Sequence, residues 1–269
     1  KYIDLKPVGS YQLEKHLKPV IIFFAMASAT TIYTHLDTVM LGFMSTDEMV
    51  GYYNAAGRIK SILVSVVTSL GAVLLPRASY YIEKGQEEKF YELSQKALNF
   101  VWLFSVPLMM YFILFAKEGI VFLSGNAYLG AVSSMQLLMP TLVFIGFSNI
   151  MGIQMLVPRG REKAVLVSEI AGAVTDVVLN MFLIPRYEAA GAAIGTLAAE
   201  FMVLFIQYLA LWREIDSLLK RLPLKKAVGA LGIAFLCSLC VKRIFSGWNV
   251  FLLLIISAGT FWGVYGGVL

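Results

Sequence analysis

Residues 36–79 read LDTVMLGFMSTDEMVGYYNAAGRIKSILVSVVTSLGAVLLPRAS. Two apolar runs meet at a short polar turn near Ser45, and both carry ionisable residues: Asp37 before the turn, Arg58 and Lys60 after it. The first run reaches back to about Pro19 and the second forward to about Pro76. Each is long enough to cross the roughly 30 Å apolar core of a bilayer as a helix. At a rise of about 1.5 Å per residue, Asp37 and Arg58 lie roughly 10–13 Å below the same membrane face, and they are expected to pair. A charge at the bilayer centre costs about 3 kcal/mol on insertion scales, so such residues usually face a bundle interior or a watery cavity. The hairpin therefore reads as part of a transport pathway.

The rest of the chain supports a membrane protein. Hydrophobic residues make up 59% and charged residues 14%, with a mean hydropathy of +0.76, whereas a soluble domain carries about 25% charged residues. Candidate spans fall at 19–44, 49–76, 95–116, 128–157, 163–185, 190–212, 225–244 and 248–268. Barrel strands need only about 10 residues each, so these lengths exclude a transmembrane β-barrel. The expectation is an all-α, polytopic membrane protein with about eight transmembrane helices.

Loop charges set its orientation, because Lys and Arg concentrate on the cytoplasmic side. Sixteen of them fall in one set of loops, and Lys117, Arg186, Lys242 and Arg243 fall in the other. Both termini are thus expected in the cytoplasm, in a multi-pass protein of the cell (cytoplasmic) membrane. The net charge of +5 is a topology signal, and no basic tract interleaved with aromatics suggests a nucleic-acid partner. The chain opens Lys-Tyr-Ile and closes at Leu269 directly after an apolar run. That reads as a piece of a longer protein, the alternative being a complete eight-helix protein with its first residues trimmed.

Several stretches in order carry a resemblance: DTVMLG, VGYYNAAGRIKSI and TSLGAVLLPRAS, then QMLVPRGREK and LNMFLIPRYEAAGAAIGTLAAEF. Together they resemble the C-terminal half of the Wzx-type oligosaccharide-lipid flippases of bacterial polysaccharide export. These share a superfamily with multidrug extruders and the lipid II flippase. The resemblance implies two six-helix lobes forming a V, alternating access, and a polyprenyl-diphosphate-linked glycan as cargo. It also implies an N-terminal lobe upstream. On this reading residues 1–18 are a cytoplasmic entry segment, 19–212 a six-helix transport lobe, 213–226 a cytoplasmic linker, and 227–269 two additional helices.

Individual residues support a transport role without that resemblance. On the second span Asn54, Arg58, Ser61, Ser65 and Thr68 fall on one helix face. Such a stripe could line a cavity where the guanidinium binds substrate diphosphate through charge-assisted hydrogen bonds. Alternatively the hydroxyls bond back to their own helix while Arg58 pairs structurally with Asp37. Lys60, about 200° round from Arg58, is expected between helices or on another wall. On span one Thr30, Thr34, Asp37 and Thr38 share a face with Tyr33 nearby, a setting in which the carboxylate could take a proton or Na⁺. His35, on another side, is expected in an interhelical hydrogen bond. Asp176 and Asn180 on span five and Glu200 on span six approach the depth of Asp37, with Glu169 two turns further in. They read either as an ion-coupling site or as a structural polar network.

Gly191 and Gly195 form a GxxxG pattern that permits close helix approach. Cys237 and Cys240, in an apolar span, are expected to act as small buried hydrophobes. No Walker loop, nucleophile elbow or zinc-protease motif is present, and two His without an acid cluster give no transition-metal site. The loops are too short for an intramembrane transferase, so the chain is expected not to be an enzyme. No cofactor is expected beyond H⁺ or Na⁺ as a coupling ion. A flippase for lipid-linked oligosaccharides is the leading reading. A cation-coupled multidrug extruder is the rival, favoured by three carboxylates against one Arg58.

Overall fold

The computed structural model describes residues 13–245 and 247–269, without the side chains at 13–16, 18, 19, 29, 32, 33 and 72. The proposed entry segment up to residue 12 and the Tyr33 side chain lie outside the described residues. The remainder is helical throughout: α1 (Leu13–Met44), α2 (Asp47–Glu83), α3 (Glu87–Leu114), α4 (Ala116–Ser124), α5 (Ala131–Leu138), α6 (Thr141–Asn149), α7 (Glu162–Leu219), α8 (Leu224–Ile244) and α9 (Val250–Val268). A π-helical stretch, Ile150–Leu156, and a 3₁₀ turn, Val157–Arg159, continue α6. Among the described residues, six helical stretches are long and apolar enough to cross a membrane, with 131–159 counted as one. This is an all-α, multi-span membrane protein.

Local chemistry explains where the helices start and bend. Thr46 caps α2 by accepting from the Met49 backbone N–H, and Asp47 and Glu48 place negative charge in its first turn. Pro140 lacks an N–H and separates α5 from α6. The 58-residue α7 is two spans joined at Glu188, whose φ of 51° and ψ of −126° break the helix. Just beyond, Gly191 sits so close to the Leu183 carbonyl that no Cβ would fit. The two arms, 162–187 and 189–219, therefore reverse tightly at the position read as a short connection. The second arm continues to Leu219, into the stretch expected to be linker.

α1 packs along α7, and α2 packs against α3, α5 and α6. Their shared core holds Leu41, Phe90, Leu98, Met135, Leu142 and Met155, all fully buried. The α8–α9 pair forms a second core with α3 around Tyr111, Phe115, Ala234 and Phe261. Hydrogen bonds pin that pair in place. The Tyr111 hydroxyl meets the Leu254 carbonyl and Ser257 at 3.0 Å each, and the Tyr265 hydroxyl donates to the Leu103 carbonyl at 2.9 Å. Lys242 donates to the Leu114 carbonyl and to Glu118 at 2.7 and 3.0 Å. Cys237 is half-buried and Cys240 exposed, both as free thiols, so the expected burial of this pair does not hold for Cys240.

Candidate functional site

The centre of the molecule is a carboxylate held by three donors. Asp37 on α1 is 1% exposed. Its Oδ2 accepts from the Tyr53 hydroxyl at 2.5 Å and the Thr196 hydroxyl at 2.8 Å, and its Oδ1 accepts from Asn180 Nδ2 at 2.6 Å. Tyr53 comes from α2, Asn180 from the first arm of α7 and Thr196 from the second, so one side chain ties four helical segments together. Hydrogen bonds to an ionised acceptor are roughly twice as strong as neutral ones. Asp176, one turn before Asn180, is fully buried, and neither of its oxygens has a hydrogen-bond donor. The charges of Asp37, Lys60 and Glu200 all act on it.

The arms of α7 must approach closely for this cluster to exist. A Cβ on Gly195 would collide with Asn180 Oδ1 and would lie 3.1 Å from Asp176 Oδ1. The GxxxG glycines thus make room for the polar residues on the facing arm. Asn180 Oδ1 is also buried without a donor.

Beside the cluster lies a cavity of about 520 Å³ within the helical bundle. Lys60, Ser61, Ser65 and Thr68 of α2 form one wall, and Glu169, Glu200 and Gln207 of α7 face them. Thr30 of α1 donates to Glu169 at 3.1 Å. Asn149 and Gly152, at the start of the π-helical stretch, complete the lining. Buried acceptors here lack donors: Asn149 Oδ1 and Gln207 Oε1. The Ser61, Ser65 and Thr68 hydroxyls donate to the carbonyls of Gly57, Ile62 and Val64. The hydroxyl protons of these three residues therefore go to their own helix while their oxygens line the cavity.

Several expectations need correction. Asp37 and Arg58 do not pair: Asp37 is enclosed by its three donors, Arg58 is exposed, and no ion pair among the described residues joins them. The cavity-facing side of α2 is centred roughly 50° round from the expected stripe, at about 100° per residue. That rotation brings Lys60 into the wall and leaves Arg58 just outside it. Asn54 is exposed and accepts from Thr38 at 3.2 Å. His35 is exposed on α1, not enclosed between helices. Asp37, Asp176 and Asn180 do come together, with Glu200 in the adjoining cavity wall. Tyr53, Thr196, Asn149 and Gln207 were not anticipated. Thr196 follows Gly195 directly, and Tyr53 falls on the buried side of α2, but neither carries a charge to mark it.

The comparisons with known proteins agree with this architecture. Residues 6–133 match the family model described as "Polysaccharide biosynthesis protein". A putative O-antigen transporter of Shigella dysenteriae is 28% identical over 198 residues, covering 70% of this chain and 46% of that protein. A second putative O-antigen transporter, of Escherichia coli K12, is 27% identical over 180 residues, covering 67% and 43%. A probable flippase, AglR of Haloferax volcanii, is 24% identical over 207 residues, covering 74% and 41%. Among solved structures, the lipid II flippase MurJ in an inward closed conformation superposes with a TM-score of 0.75 at 17% identity. That likeness covers 98% of this chain and 55% of MurJ and concerns the fold. The chain spans less than half the length of these curated relatives. The resemblance to polysaccharide transporters read from the sequence is borne out.

Proposed function

We propose that this chain forms the transport lobe of a flippase that moves polyprenyl-diphosphate-linked oligosaccharide repeat units across the cytoplasmic membrane by alternating access. An upstream lobe completes the pathway, and the α2–α3 and α7–α8 connections face the cytoplasm. The observation that carries the reading is a cavity of about 520 Å³ between helices long and apolar enough to span a membrane, with Lys60, Glu169, Glu200 and Gln207 in its walls. Ionisable side chains at such positions are costly in a bilayer and mark a hydrophilic path. The transporter names of the relatives supply the cargo class.

Asp37, Asp176, Asn180 and Glu200 are the coupling residues in this proposal. In this proposal a proton or a cation such as Na⁺ is held at the buried Asp37 and Asp176 carboxyl groups. Release of that ion would free the two α7 arms and α1 to shift against one another. Arg58, Asn54, Ser61 and Ser65 occupy the exposed side of α2 and bind the anionic cargo, with Lys60 in the cavity wall as a further cation. The acid excess of Glu169 and Glu200 over Lys60 in the cavity is the feature that favours a cation extruder instead.

Export in the native host separates the two. Arg58→Ala and Asp37→Asn should each lower surface polysaccharide at least tenfold, with lipid-linked repeat units accumulating and membrane abundance of the protein unchanged. Normal export together with lost resistance to cationic drugs would transfer the assignment to the extruder.

A further inference from the structure

The helical register changes halfway along the span that ends at Arg159. After α6 the chain is π-helical over Ile150–Leu156, with the Val157 N–H donating to the Gly152 carbonyl, and the 3₁₀ turn Val157–Arg159 follows. A π turn closes its bonds five residues apart instead of four, so it stores chain that an α-helix would carry onward.

The side chains around the stretch show what that stored chain does. In an α-helix Asn149 and Gln154, five positions apart, would point about 140° from one another. Here both reach one glycine of α2. A Cβ on Gly71 would lie 2.9 Å from Gln154 Nε2 and would collide with Asn149 Oδ1. Both of these amide atoms are buried without a hydrogen-bond partner among the described residues. Such atoms are costly, so the π form is held here at an expense in free energy. The other flank is similar. A Cβ on Gly152 would lie 3.0 Å from Gln207 Nε2, and Gln207 Oε1 is a third buried atom without a partner. With glycine at both contacts, no side chain interlocks the stretch with α2 or α7 there. Pro158 has no N–H and interrupts the bond ladder at the far end.

What holds the π form lies just beyond that proline. Arg159 bonds Glu214 of α7 at 2.5 Å and the Tyr91 hydroxyl of α3 at 3.0 Å, and its guanidinium lies 4.5 Å from the centre of the Phe90 ring. Gly160 ends the turn at a φ of 68°, which glycine adopts without strain. The turn can therefore take up a further residue. At the near end Asn149, Gly152 and Ile153 line the cavity, so one short segment touches both the cavity and the clamp.

We propose that Ile150–Leu156 is a register switch that ties the cavity to the Arg159 clamp. In the π form the clamp is made. When the stored residue passes into the turn at Val157–Arg159, the stretch becomes α-helical, Gln154 swings off Gly71, the cavity wall at Gly152 and Ile153 turns with it, and Arg159 parts from Glu214 and Tyr91. The switch rests on the transport reading above for its purpose, since it would change the cavity and one mouth of the bundle together.

Reversible cross-linking tests it in the full-length protein carrying Cys237→Ala and Cys240→Ala. A one-carbon bis-thiosulfonate, released by dithiothreitol, joins Gly71→Cys either to Gln154→Cys, which traps the π form, or to Asn149→Cys, which precedes the switch and does not turn. Each linked protein is compared with its own reduced form, and both pairs should link. The 71–154 link should slow amide hydrogen exchange across residues 157–161 at least tenfold and stop glycan export until it is reduced. The 71–149 link should change that exchange less than twofold and export not at all. Failure of 71–154 to link, equal effects from the two links, or no effect from either would overturn the switch. Exchange slowed by the 71–154 link alone, in a protein that exports no glycan even when reduced, would keep the switch and overturn the cargo assignment instead.

Discussion

Asp37 illustrates how much a single residue organises here and how far sequence reading can follow it. A carboxylate in an apolar span stands out by its cost, so Asp37, Asp176 and Glu200 were legible from composition alone. Their partners were not. Tyr53 and Thr196 are neutral, and their convergence on Asp37 Oδ2 depends on helix rotations that no spacing rule fixes. The same uncertainty of rotation put Arg58 in the cavity wall where Lys60 stands. Tyr53→Phe isolates one of these bonds, since it removes a hydroxyl and leaves the ring that packs in the core. Loss of a hydrogen bond to a charged acceptor costs about 1.5–3 kcal/mol. The thermal midpoint in detergent should fall accordingly, whereas Thr38→Val, at a half-exposed position bonded to Asn54, should barely move it.

At the scale of elements, the positions of the spans were legible because apolar runs bounded by charge leave few alternatives. Two features were hidden. The π-helical stretch Ile150–Leu156 has no side-chain signature, although such turns often sit at functional positions, and here it borders the polar cavity. Arg159 was read as a topology charge. It instead clamps the end of that span, bonding Glu214 at 2.5 Å and the Tyr91 hydroxyl at 3.0 Å and lying 4.5 Å over the Phe90 ring. The GxxxG pair lay between these cases, visible as a pattern but without an assigned neighbour. Gly195→Ala should force Asn180 and Asp176 aside and cost about 1–3 kcal/mol, as overpacking does. Gly57→Ala, where a Cβ would meet nothing within 4 Å, should leave stability equal or slightly higher. Equal midpoints for the two variants would show that the α7 arms do not depend on this contact.

For the molecule as a whole, orientation decides which mouth of the bundle receives cargo, and the loop charges commit to one answer. Lys and Arg cluster at the ends where α2 meets α3 and α7 meets α8, Arg213 and Arg221 among them. The connection near Asn126 lies at the other end, among few basic residues. The positive-inside bias is a property of insertion and binds all helices at once, so one inverted connection would contradict the whole arrangement. With Cys237 and Cys240 replaced by Ala, Asn126→Cys should react with a membrane-impermeant maleimide in intact cells, and Gln86→Cys only after permeabilisation. The reverse pattern would place these basic residues on the outer side, and the direction of transport would have to be exchanged. Ser65→Cys, in the cavity wall, then reports the conformation: labelling from one side only means a closed opposite mouth, as alternating access requires, while simultaneous labelling from both sides would describe an open channel and exclude that mechanism.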